Sequence, residues 1–304
     1  MDRLVSAKRV VAADASESVP RRAPASGGGL MMILRTVIIG AALSTISCSV
    51  PPDPHAKGQA LELIEAKHAG VSFLYSASDF TGTEIKKERK QTAQEIGEGI
   101  DEGLAPEHVC FKLKDKRPLP ALEQGPRYFY PAHSFICAIP LHDSSVKDFG
   151  KAYPGLHSAA VDLKTILRDR PRKFEHRRDV PDIPRNNAAP SILSRFQYLD
   201  FRSGAGILFI TQYSQEMEPN PLNNEELTLD FQGLTNDGQY YLAARLAITH
   251  PSLPRGIDFT DQIERDRQWR YLKEAEKEVE AFPEESFQPS LTHLKALLSS
   301  IYVE

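Results

Sequence analysis

The chain has 304 residues, of which 41% are apolar and 26% charged, with 22 prolines, 3 cysteines and a formal charge of −4. That length is enough to bury a full core, and the ordinary composition excludes fibrous and collagenous classes. The mild acidity offers no general attraction for nucleic acid or an anionic lipid surface, so no nucleic-acid partner is expected.

Residues 1–30 are rich in Ala, Ser, Arg and Gly, include the run Gly27-Gly28-Gly29, lack any apolar period and read as disordered. A short basic start ending at Arg35 follows, then an apolar stretch from Thr36, then small residues before Cys48. That order is the pattern of a secretory signal over 31–47. A signal begins a chain, so the expected start is Met31 or Met32. The 12 residues Thr36–Ser47 would reach only roughly 18 Å as a helix. The hydrocarbon core is about 30 Å thick, so a stable span is not expected. The first 47 residues hold six bases and three acids, so their removal takes the balance from −4 to −7.

Thr45-Ile46-Ser47-Cys48 resembles the lipobox of bacterial lipoproteins, with Thr45 where that family has leucine. The resemblance implies cleavage before Cys48, acylation of its sulfur and anchorage in a membrane of the cell envelope. Ser49, where an aspartate would favour inner-membrane retention, points to the outer membrane. Ordinary cleavage nearby would instead release a soluble protein. Residues 48–56, with Pro51, Pro52 and Pro54, suit a stiff tether, and 57–304 read as one globular domain.

With Cys48 acylated, Cys110 and Cys137 remain, each in a strand-like run, and an oxidising compartment would allow them to bond. The alternative is two buried thiols serving as small apolar residues. Neither has a second cysteine or a histidine at finger-like spacing, so no metal is expected there.

Along the body, 57–68 read as a short amphipathic helix, 71–75 as a strand, and 83–100 as a solvated helix or mobile loop. Residues 107–113 alternate as a strand, and a second strand system over 127–139 is interrupted at Pro131. Leu156, Ala159, Ala160, Leu163, Ile166 and Leu167 share one helical face over 156–169, ending at Arg170-Pro171. A basic, proline-bearing loop follows. Residues 195–213 read as a hairpin turning near Gly204-Ala205-Gly206, and 227–231 and 239–248 as strands joined through Asp237-Gly238. A charged helix over 260–280, with Thr260 or Asp261 as cap, would dock by Ile263, Trp269, Leu272 and Val279. Ser290 would cap a last helix with Leu291, Leu294, Leu297 and Leu298 on one face, before a final strand at 299–303.

Direct hairpins with helices segregated in sequence predict an α+β fold, an antiparallel meander sheet with flanking helices. The order of the last ~110 residues weakly resembles the PsbP-like fold, by element order alone. The stretch from Phe201 to Pro254, with its Asn-Asp-Gly-Gln-Tyr-Tyr and His-Pro-Ser-Leu-Pro segments, resembles a block in uncharacterised bacterial envelope proteins and implies no activity.

Chemistry-bearing motifs are sparse. No Gly-x-Ser-x-Gly elbow, His-Glu-x-x-His, phosphate loop or Gly-x-Gly-x-x-Gly occurs. His133, His142 and His157 could hold zinc if the fold gathered them, although no two have the spacing of a helical site. Glu225, Glu226 and Asp237 are loop acids, and Asn220, Asn223, Asn224, Asn236 and Asp237 offer oxygens without the spacing of a calcium loop. The bases Arg168, Arg170, Arg172, Lys173, Arg177, Arg178 and Arg185 are offset by Asp169, Glu175, Asp179 and Asp182 and read as a solvated loop. Tyr128, Tyr130, Tyr198, Tyr213, Tyr240 and Tyr241 read as core or rim residues rather than a groove.

The reading is therefore a lipid-anchored envelope protein that binds a membrane through Cys48 and an envelope or cell-wall partner through its body, without catalysis or a cofactor. A hydrolase or metal-dependent enzyme acting on envelope material, and a carrier for an apolar ligand, are the alternatives.

Overall fold

A computed structural model describes residues 61–93, 104–116, 134–183, 188–214, 221–254 and 265–304. The strands are β1 Leu63–His68, β2 Val71–Ser76, β3 Phe80–Glu88, β4 His108–Asp115, β5 Phe135–Pro140, β6 Ala189–Pro190, β7 Ser194–Phe201, β8 Gly204–Thr211, β9 Tyr213–Ser214, β10 Thr228–Thr235, β11 Tyr240–Ala247 and β12 Tyr302–Val303. The helices are α1 Phe149–Ala152, α2 Pro154–Asp169, α3 Arg265–Ala281 and α4 Leu291–Ser299. Seven strands pair in the order β3-β4-β5-β11-β10-β8-β7, β1-β2-β12 make a small sheet, and β6 pairs with β9. Every pairing is antiparallel, and the architecture is α+β with flanking helices.

Period-two alternation sorts the large sheet into two faces. Leu229 and Phe231 of β10, Leu208 and Ile210 of β8 and Leu242 of β11 point one way. They meet Phe73 and Tyr75 of the small sheet, Leu272 and Val279 of α3 and the leucines of α4. Ile207 and Phe209, Tyr241, Cys110 and Cys137 point the other way, against Tyr153, Leu156, Leu163 and Ile166. The site described below lies on this second face.

The local chemistry explains the boundaries. Proline opens α2, where its missing N–H costs nothing. The helix stops at Arg170, in the left-handed region at φ 45°, with its N–H on the Ile166 carbonyl. Ser290 accepts the Thr292 N–H and caps α4. Arg195, at a bulge in β7, donates Nε to the Val279 carbonyl and Nη2 to those of Glu280 and Phe282, capping the end of α3. At Gly206 a side chain has no room: a Cβ would stand 2.5 Å from the Gln232 carbonyl oxygen and 2.5 Å from the Phe231 ring. That ring packs edge-on against Phe201.

Some expectations need correction. Residues 63–68 are a strand where a helix was expected, because pairing with β2 overrides the helix-forming composition of Leu-Ile-Glu-Ala-Lys. Residues 83–88 belong to β3 and pair with β4, neither solvated helix nor loop. Gly204 and Gly206 begin β8, and the turn itself is Arg202-Ser203. Ser299 ends α4, so the last strand shortens to Tyr302–Val303. The segments 1–60, 94–103, 127–133 and 260–264 lie outside the described residues, as does the Trp269 side chain.

Candidate functional site

β10 and β11 pair so that Asp230 stands opposite Arg245, and alternation puts both on the second face. Asp230 is fully buried. Its carboxylate accepts from Thr228 Oγ1 at 2.6 Å, Tyr213 Oη at 2.7 Å and Arg245 Nε at 3.1 Å. The guanidinium lies 4.0 Å from the centre of the Tyr213 ring. Burial pushes the Tyr213 hydroxyl far above its ordinary pKa, and the Asp230 charge adds to it. Burial alone would lower Arg245, yet the facing Asp230 charge and Tyr213 hold it above its ordinary value. One guanidinium nitrogen, Arg245 Nη2, is buried without a hydrogen-bond partner among the described residues. Such a pair depends on each partner to compensate the other's desolvation.

One row along, Gln232 Oε1 accepts from the Ile183 N–H at 3.0 Å and the Tyr241 hydroxyl at 2.8 Å, while its Nε2 donates to the Ile183 carbonyl. The amide thereby pins the end of the basic loop to the sheet. These bonds tie β10 and β11 to the 180–183 segment.

Toward the sheet edge, Cys110 of β4 faces Cys137 of β5. Their sulfurs are bonded, and their Cα atoms are 4.1 Å apart. His108 precedes Cys110 by two residues and so shares its face. Its Nδ1 lies 2.8 Å from the Pro106 carbonyl, which can only accept, so Nδ1 carries the proton and Nε2 keeps its lone pair. Burial lowers the His108 pKa, against a smaller raising effect of that carbonyl. The donor atoms of His108, Cys110 and Cys137 all lie within 4.8 Å of one another.

Of the histidines singled out from the sequence, His142 and His157 meet no third ligand among the described residues. Among the described residues, the one converging group of three or more His, Cys, Asp or Glu is His108, Cys110 and Cys137. His142 meets the Tyr240 ring, His157 meets Phe149, and His133 lies outside the described residues. Asp143 is held well below the usual carboxylate range by the Ser145 hydroxyl, the Tyr153 hydroxyl, the Ser145 N–H and Lys90. Asn223 and Asn224 are tied within their own loop and to the 250–253 turn, and Asp237 accepts from Thr235 and the Gln239 N–H. The basic loop is partly neutralised: Arg168 pairs with Asp169 and Arg177 with Glu276, while Arg170 lies over the Tyr198 ring. Asn220, Arg185, Tyr128 and Tyr130 lie outside the described residues.

His108 has neither a helical nor a finger-like spacing to the cysteines and so does not stand out as a ligand in the sequence. On a strand the relevant spacing is two, and His108-Val109-Cys110 has it.

His250 follows β11 and is buried, stacked on Phe282 at 3.6 Å. Its Nδ1 accepts the Ser252 N–H, so Nε2 donates to Ser286 Oγ at 2.9 Å. Burial lowers its pKa, so the fold favours the neutral ring. The resulting stability is complete above the unfolded value of about 6.5 and drains away as pH falls toward the lowered folded value. Urea unfolding should show a loss between pH 7 and pH 5, and His250→Phe should flatten that slope. An unchanged slope in the variant would show that His250 does not carry it.

No protein-family model, curated protein or solved structure matches the chain, so its function is argued from these residues alone.

Proposed function

We propose that the chain is a lipid-anchored protein of the cell envelope whose body is a non-enzymatic binding module. The observation that carries this reading is the Cys110–Cys137 bond across neighbouring strands, a cross-link that persists in exported proteins and is rare in the cytosol. It joins the export-like segment and the lipobox-like Thr45-Ile46-Ser47-Cys48. The binding role draws support from the small sheet. Its inner side packs on the core, while Leu63, Leu74 and Tyr302 share its outer side and stay exposed. Exposed apolar side chains on one sheet face suit contact with another envelope component. The carrier alternative draws no support from β8, β10 and β11, whose apolar side chains fill both faces.

The test is the intact mass of the protein from the membrane fraction of its native host, beside a Cys48→Ala variant. The expected species begins at Cys48 with added acyl mass and disappears in the variant. An unmodified chain that retains residues 1–47 would overturn the reading.

A further inference from the structure

We propose that His108, Cys110 and Cys137 form a redox-gated site for a thiophilic divalent cation such as zinc(II), closed while the disulfide stands and opened by its reduction. This goes beyond an envelope binding role and does not rest on it.

His108 and Cys110 lie two apart on β4, and Cys137 faces Cys110 from β5, so donors from two adjacent strands converge on one side of the sheet. A structural disulfide has no need of an imidazole beside it. Here the imidazole is also oriented, because Nδ1 is held by the Pro106 carbonyl and Nε2 is left to bind. Metal-ligating histidines are commonly fixed in this way, through a backbone carbonyl on the other ring nitrogen. Zinc lies about 2.3 Å from sulfur and about 2.0–2.1 Å from nitrogen, so a tetrahedral ion holds such donors roughly 3.5–3.8 Å apart. The three donors lie within 4.8 Å of one another, a gap that side-chain rotation closes. Two thiolates and one imidazole leave the fourth tetrahedral position open for water. His108 is half-buried beside the edge strand β3, which gives the ion a way in.

The chemistry balances. A dithiol reductant gives two electrons and two protons to the Cys110–Cys137 bond, yielding two thiols and becoming a disulfide itself. Zinc(II) then displaces both thiol protons as it binds the two sulfurs and Nε2. A disulfide oxidant takes the two electrons back, re-forms the bond and expels the ion.

The test uses the full chain carrying Cys48→Ser, so that no third thiol contributes. Zinc is titrated into the oxidised protein and into protein reduced with a phosphine, with native mass spectrometry and a chromophoric chelator as competitor. The expected result is one zinc per reduced chain and none per oxidised chain. His108→Ala should weaken the reduced site by at least about 10-fold and leave the melting temperature of the oxidised protein unchanged. Zinc should also raise the melting temperature of the reduced wild type, or refold it if reduction unfolds it. A reduced protein that takes up no zinc and is not stabilised by it would overturn the proposal and leave the cysteines as a structural disulfide only. Equal affinity in His108→Ala would overturn it too. Neither result touches the envelope reading, which stands or falls with the mass at Cys48.

Discussion

Replacing Asp230 with alanine should lower the stability of the fold by about 3–5 kcal/mol, the usual cost of removing one partner from a buried ion pair. The carboxylate is fully buried and accepts from Arg245, Tyr213 and Thr228 at once. Without it a guanidinium that already has one unpartnered nitrogen loses the carboxylate bonded to its Nε. The Tyr213 hydroxyl loses its acceptor as well, and Thr228 Oγ1 is left with the Thr211 carbonyl at 3.3 Å. Urea unfolding measures the effect. If Asp230→Leu combined with Arg245→Met restores most of the loss, the penalty came from the uncompensated charge and not from the missing volume. A single variant that loses less than about 1 kcal/mol, the range of exposed pairs, would show that water reaches the pair.

The second large effect concerns the cross-link. The bridged cysteines are 27 residues apart, and closing a loop of that length in the unfolded chain is worth about 3.5 kcal/mol in the chain-entropy account. Cys110→Ala with Cys137→Ala should therefore lower the unfolding free energy by about that amount, moving the urea midpoint down and steepening the slope as the unfolded chain expands. Reducing the wild type in zinc-free buffer should produce a similar shift. A double variant as stable as the wild type would mean that the pairing of β4 with β5 already constrains the chain before it folds.

The parts of the fold that the sequence made legible are those where local pattern and tertiary demand agree. Leu156, Leu163 and Ile166 recur at helical spacing and are buried on the second face. Ser290 both reads as a cap and is one, and the four leucines after it are buried. The turn at Asp237-Gly238 needs a positive φ, which Gly238 adopts. Where the two disagree, local pattern misleads. The run before His68 has the composition of a helix, but an unpaired edge of β2 turns it into a strand. β3 is so charged, with Glu84, Lys86, Lys87 and Glu88, that it reads as solvated; as an edge strand it is both paired and exposed. The site was harder still. Asp230 and Arg245 sit inside runs that read as apolar strands, and only the register shows that they meet. His108 joins the cysteines through the same register, which no single sequence specifies.

The small sheet also sets a schedule. β1 and β2 are joined by a two-residue turn and can pair early, yet the Leu74 N–H is received by Ser300 Oγ, 226 positions further on. The same late segment supplies β12 and the leucines that cover Phe73 and Tyr75. Contacts so distant along the chain slow folding, because a large loop must close before they reward it. At about 5–20 residues per second of synthesis, the hairpin waits roughly 10–45 s for its cover. Throughout that interval an apolar strand face and an open edge are available to any other chain, the kind of exposed surface through which incomplete chains aggregate.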